Sequence, residues 1–179
     1  MNIFYLHPNA REAAIMQCDT HVVKMILESA QLLSTAHREL DGDDWADEVG
    51  LYKSTHKNHP SAVWARSSKP HYDWLYDHFV ALCDEYKYRY DKTHLTDTKF
   101  RDVLDYAPPS ILHTKFEEPP QCMPDEYKHE RTTRAYRNYY VFDKATNDWF
   151  GYKRSRPAPN FLVNNTYTNP KEMKDIVNA

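Results

Sequence analysis

His21, Lys24, Glu28, Gln31 and Thr35 recur at intervals of three and four, the spacing that stacks side chains into one ridge along a helix. A histidine, an ammonium and a carboxylate in one row make a candidate site, although such a ridge also arises wherever an amphipathic helix turns its charges to water. Two other stretches carry binding chemistry. Residues 51–66 concentrate Lys53, His56, Lys57, His59 and Arg66. Lys57 and Arg66 suit phosphate contacts made from a loop, with ordinary solvation as the alternative. A metal held by His56 and His59 is disfavoured, because Pro60 breaks the helical face that the pair would need. From Lys128 to Arg156, Arg131, Arg134, Arg137, Lys144, Lys153 and Arg154 interleave with Tyr136, Tyr140, Trp149 and Phe150, against only Glu130, Asp143 and Asp148. Cations alternating with rings suit a nucleic-acid backbone with room for a base to stack; a solvated helix balancing the acidic stretch 41–48 is the alternative.

These groups need elements to position them. Val22, Ile26, Ala30 and Leu33, widened by Met25 and Leu32, predict a helix from Asp19 to Ala36 with one face in a core. A second long helix is predicted to Tyr90, with Ser68 as its cap, Pro70 in its first turn, and a stripe of Tyr72, Leu75, Phe79, Leu82, Tyr86 and Tyr90 that reads as core. Ile3–Leu6 is a short extended segment tethering the amino terminus. Asn9 caps a first helical turn through Arg11 to Cys18, and Asp19 offers a second cap or a kink, so one long helix or two remain open. Asp41–Glu48 is a solvated loop or a short helix, Thr98–Tyr106 one short helix, and Thr132 or Thr133 the start of another. Pro108, Pro109, Pro119, Pro120 and Pro124 force an irregular path that wraps the helices. The expected fold is all-α: a single compact helical domain over residues 1–160 with a proline-rich wrapping segment, then a carboxyl-terminal arm over 161–179.

Composition narrows the function classes. With 23 Lys plus Arg against 26 Asp plus Glu, no global field announces a polyanionic partner, which leaves a local patch. Three glycines disfavour a turn-dense β architecture, and neither a GxGxxG nor a GxxxxGK[ST] pattern occurs. Cys18, Cys83 and Cys122, odd in number and without a CxxC pair, suit a reducing compartment rather than a disulfide framework. The amino terminus does not make a signal peptide, and no apolar run approaches the ~18 residues of a membrane helix. A soluble, cytoplasmic protein without a membrane partner is expected.

Asp19-Thr20-His21, followed seven residues after the histidine by Glu28, resembles the DxH(x6)E segment near the amino terminus of the small all-helical pyrimidine-dimer DNA glycosylases of the bacteriophage endonuclease V type. The likeness is closest over residues 1–40. The later order is similar too: a loop with basic residues and histidines, a long aromatic-rich helix, then a basic region containing Tyr and Trp. The resemblance implies a DNA repair glycosylase and apurinic lyase, in which a free α-amine attacks C1′, forms an imine with the opened sugar and breaks the strand by β-elimination. By position, Glu28 is the acidic catalytic residue, His21 its neighbour, and the amino terminus the nucleophile. Family members expose a Thr amine by removing Met, but Met1 precedes Asn2, where removal is inefficient, so Met1 supplies the amine with Asn2 beside it. An α-amine titrates at about 7.7 to 8.0 and keeps a neutral fraction near neutral pH. Leu27 and Gln31 stand where the family carries arginines, which leaves the lesion open between a pyrimidine dimer and another damaged or modified base. The implied partner is double-stranded DNA with an extruded base, contacted by Lys24, Lys57, Arg66, Arg131, Arg134, Arg137, Lys153 and Arg154. No cofactor and no metal are expected, and the oligomeric state is open. The alternative is a non-catalytic helical module that binds nucleic acid or a protein partner through Lys128–Arg156.

Overall fold

Two long helices, Asp19–Asp41 and Lys69–Tyr90, form the central pair of the computed structural model, which describes residues 1–164 and 167. In chain order the helices are α1 (Ala10–Ile15), α2 (Asp19–Asp41), α3 (Asp44–Glu48), α4 (Pro60–Ser67), α5 (Lys69–Tyr90), α6 (Leu95–Phe100), α7 (Thr132–Phe142) and α8 (Asn160–Val163). Single 3-10 turns lie at Asp125–Tyr127 and Lys144–Thr146. No strand occurs among the described residues, and the fold is all-α. No helix there is long and apolar enough to cross a membrane.

The core follows the predicted stripes. Val22, Met25, Ile26, Ala30, Leu32 and Leu33 of α2 are buried with Tyr72, Leu75, Phe79 and Leu82 of α5, while Tyr86 and Tyr90 stack on each other at its half-buried end. α1 packs on α5, and α4 on α2. Asn9 caps α1 by accepting from the Arg11 and Glu12 amides, and Pro60 occupies the first turn of α4, where its missing N–H is harmless. α2 runs past the predicted Ala36 to Asp41 and stops at Gly42, whose φ of 85° suits glycine.

α1 and α2 are separate helices, and Asp19 does not cap the second one. Instead the buried Arg89 of α5 fills the corner between them: it donates to Ile15 O at 2.9 Å, Gln17 O at 2.8 Å and Asp19 Oδ1 at 3.1 Å, and its Nε reaches Glu85 at 2.9 Å. A cation there meets carbonyls that would otherwise stay unpaired at the end of α1. Ser68 likewise precedes α5 without capping it; its hydroxyl bonds the backbone of Thr114 in both directions. The short helix expected at Thr98–Tyr106 lies at Leu95–Phe100, because the His94 ring accepts from the Thr96 amide and starts it earlier.

Residues 107–124 are an irregular strap. Leu112 O accepts from the Lys69 amide, Glu117 bonds Trp64 and His71 through its backbone, and Pro120 O accepts from Tyr136. The strap thereby crosses α4 and α5, passes to α7, and ends beside the amino terminus. Most of the expected arm at 161–179 lies outside the described residues; Phe161 at its start is buried against the core.

Leu33→Ala should cost about 2 to 5 kcal/mol and Phe79→Ala about 3 to 5 kcal/mol. The exposed Val63→Ala should stay within about 0.5 kcal/mol. Urea unfolding of the three variants checks the assignment of the core.

Candidate active site

The amino-terminal turns of α2, the segment Ile3–Leu6, the end of the strap and the end of α7 enclose a cleft of about 560 Å³. Glu28 and Met1 both line it. The Glu28 carboxylate accepts the Asn2 amide N–H at 3.2 Å on one oxygen, and the Lys24 ammonium lies 3.4 Å from the other. Asn2 is itself pinned. Its side-chain amide donates to Cys122 O at 2.8 Å, and its oxygen accepts from the amides of Ile3 and Phe4. The residue after the amino terminus is thus fixed from three directions against α2.

A backbone irregularity accompanies the pinning. Phe4 adopts φ 54°, a left-handed conformation costing a non-glycine residue about 1 to 2 kcal/mol. In return its ring stacks on His21 at a centroid distance of 4.2 Å. His21 also lies 2.7 Å from the Tyr140 hydroxyl, which accepts the Cys18 amide, and 5.2 Å from the Trp149 ring. Burial, reinforced by Lys144 and Lys24, pushes His21 down to about 3, so the ring is neutral near pH 7. It is a packed wall of the cleft, not a charged one.

The rim is cationic. Lys144 lies 4.3 Å from the Tyr139 ring centroid and 3.0 Å from Asp143. Burial alone would lower its ammonium, but the bonds to Tyr139 and Asp143 outweigh that and leave it raised, hence charged. Trp149 is held by a backbone latch: its carbonyl accepts from the Thr20 hydroxyl, Gly151 O accepts from the Asp19 amide, and Asp19 Oδ2 accepts from the Lys153 amide at 2.6 Å. One half-buried carboxylate combined with two flanking ammoniums and aromatic walls suits an anionic ligand carrying a planar ring.

Of the residues singled out from the sequence, Met1, Asn2, His21, Lys24 and Glu28 meet in this cleft. The other cations do not. Lys57 pairs with Glu39 at 3.5 Å and Arg66 donates to Lys57 O, so both serve the 51–66 loop. Lys153 and Arg154 are exposed beyond the Asp19 latch, Arg154 lying over the Tyr90 ring. Arg131, Arg134 and Arg137 sit at the start and middle of α7, around a separate cavity. The polar ridge of α2 divides too: Thr35 is buried beside the loop and bonds Thr55, far along the helix from Glu28. His59 is the amino-terminal cap of α4, its ring accepting the Ser61 amide. Burial together with the nearby amino terminus lowers its pKa. Among the described residues no group of three His, Cys, Asp or Glu is placed to hold a metal ion.

Sequence reasoning missed Phe4, Thr20, Tyr139 and Cys122 as cleft residues. Phe4 looked like plain core, and nothing local connects Cys122 to Asn2 across the chain. Lys144 and Trp149 were visible only as members of a basic, aromatic stretch.

A family model described as pyrimidine dimer DNA glycosylase matches residues 1–98 of the 179. The match runs from the amino terminus into α6 and contains Met1, Asn2, His21, Lys24 and Glu28, whereas Tyr139, Lys144 and Trp149 lie beyond it. No curated protein and no solved structure was found to match the chain.

Burial holds His21 at about 3 and His37 and His78 at about 4, against 6.5 for an ordinary histidine. Below about 6.5 the unfolded chain therefore binds more protons than the folded one. The stability these rings contribute is whole above about 6.5 and is lost as pH falls toward 4. Each ring adds a slope on the order of 1.4 kcal/mol per pH unit. Urea unfolding at about pH 7 and about pH 4.5 should register this loss, and His21→Phe should show a shallower pH dependence than the parent.

Proposed function

The chain belongs to the pyrimidine dimer DNA glycosylase family, and from that premise we propose that it excises a pyrimidine-dimer-like or otherwise modified base from double-stranded DNA and then cuts the strand as an apurinic lyase. The observation that carries the reading is the bond between the Asn2 amide and the Glu28 carboxylate at 3.2 Å, which ties the residue next to the amine to the acid. Met1 and Glu28 line the same cleft.

In this reading the neutral α-amine of Met1 attacks C1′ of the damaged nucleotide. The bond from C1′ to the base breaks, and its electron pair leaves with the base, which takes up a proton. Opening of the C1′–O4′ bond then leaves an iminium between the amine and C1′. Loss of a proton from C2′ expels the 3′ phosphate and breaks the strand, and water frees the enzyme. Glu28 stabilises the cationic sugar and carries these protons. Lys24 and Lys144 hold the flanking phosphates. The rings of Tyr139 and Trp149 give an extruded base surfaces on which to stack. His21, neutral and fixed by Tyr140, is a positioning residue that keeps Phe4 and the amino-terminal segment against α2.

Borohydride should trap a covalent complex between the protein and DNA carrying an abasic or dimer-containing site, because reduction fixes the imine. Peptide mapping should find the adduct on the first residue. Residues added ahead of Met1 should abolish trapping by displacing the amine. Glu28→Gln should still bind DNA but lose strand cleavage by about 10²-fold or more. Protein that neither cleaves such DNA nor forms the adduct would replace this reading with that of a helical nucleic-acid-binding module.

A further inference from the structure

A second cavity of about 230 Å³ opens at the amino-terminal end of α7, lined by His129, Arg131, Thr133, Arg134, Arg137 and Tyr167, with no carboxylate in its wall among the described residues. The ion-paired arginines of the described residues are Arg38, Arg89, Arg101 and Arg156; Arg131, Arg134 and Arg137 are not among them. Arg134 and Arg137 are nevertheless held in place by neutral groups. Arg134 donates through Nε to Asn138 at 3.1 Å and stacks 3.5 Å over the Tyr167 ring. Arg137 donates through Nε to Leu6 O at 2.9 Å and lies 5.2 Å from the Phe161 ring centroid. Both anchors use Nε, and among the described residues the terminal nitrogens carry no further hydrogen bond, which leaves their donors for a ligand. Two guanidinium forks held in place, with no ion pair among the described residues, match the geometry of a phosphate. Arg131 is the first flanking residue of α7, whose start has no side-chain cap, so the helix adds its own partial positive charge at the same point.

At 3.6 residues per turn, Arg134 and Arg137 project about 140 to 160° around α7 from Tyr139, which lines the catalytic cleft. We infer that this cavity is a phosphate site separate from the cleft, built to grip a backbone phosphodiester of undamaged DNA independently of any lesion. The identity of the occupant rests on the glycosylase reading; the anion chemistry of the cavity does not.

The experiment has two arms. In the first, inorganic phosphate is titrated into the full-length protein while the arginine Nε–H signals are followed by NMR, with chloride at matched ionic strength as control. The Arg134 and Arg137 signals should shift and saturate while those of the ion-paired Arg38 and Arg101 stay still. In the second, the affinity for an undamaged duplex is measured against salt concentration for the parent, Arg134→Ala/Arg137→Ala and Arg134→Lys/Arg137→Lys. The alanine pair should lose about tenfold in affinity and lower the salt slope by about 1 to 2, one unit for each phosphate released. The lysine pair, keeping charge without the fork, should recover most of the slope but not all of the affinity. Because Arg137 bonds Leu6, unfolding midpoints accompany each variant, and the phosphate titration of the parent stands whether or not the variants fold. Arginine signals that do not respond to phosphate overturn the site. A phosphate response with an unchanged duplex slope overturns the backbone as occupant. Loss of borohydride trapping, with both arms as expected, sinks the glycosylase reading alone.

Discussion

The buried guanidinium of Arg89 is the interaction on which the site depends. It projects from α5, is fully buried, and meets carbonyls of Ile15 and Gln17 together with the carboxylates of Asp19 and Glu85. A charge withdrawn from water in this way is tolerable only when every donor finds an acceptor, and removing one partner leaves the rest exposed to a penalty of about 3 to 5 kcal/mol. The corner between α1 and α2 supplies Ile15 O, Gln17 O and Asp19 as acceptors, and α5 itself supplies Glu85. The direction of α2, and with it the placement of His21 and Glu28, is therefore set by a residue some seventy positions away in the sequence.

The same cluster attaches the carboxyl-terminal part of the chain to the amino-terminal part. Glu85 also accepts from Arg156 at 2.6 Å, and two guanidinium partners outweigh the effect of burial and keep its carboxyl below the ordinary range. Asp19 spends one oxygen on Arg89 and the other on the Lys153 amide. Trp149 is delivered to the cleft by this docking, since its neighbours in sequence are fastened to the first turn of α2. A motif read as one unit, Asp19-Thr20-His21, thus splits into two latch residues and one wall residue.

The opposite side of the cleft is held by hydrogen bonds of Asn2, against the cost of a strained Phe4, rather than by buried charge. Asn2 satisfies the amides of Ile3 and Phe4 and reaches Cys122 at the end of the strap, and the left-handed Phe4 turns its ring onto His21. These bonds hold the first residues against α2, where a chain end would otherwise fray. The strap's prolines keep this segment out of a helix, so the carbonyls of Pro120 and Cys122 are free to accept from Tyr136 and Asn2.

The two long helices, their buried faces and the row containing His21 and Glu28 were legible in the sequence, because helical periodicity is a local property that i, i+3 and i+4 spacing records directly. The all-α class followed from the same signals and from the low count of three glycines, and the wrapping role of segment 107–124 from its prolines. The sequence could not decide which side of the polar ridge meets water; only packing buries His21 and Thr35 while leaving Lys24 exposed. Nor could it sort the cations. Lys57, Arg66, Arg134 and Lys153 look alike in composition, yet one pairs with Glu39, one braces a loop, one flanks a cavity lined by arginines, and one lies beyond a latch. The partners range from nine positions away, as for Arg66 and the Lys57 carbonyl, to 134, as for Lys153 and Asp19, and the cleft itself is closed by Asn2 to Cys122 and Thr20 to Trp149; no local pattern encodes a contact that exists only after the chain has closed on itself.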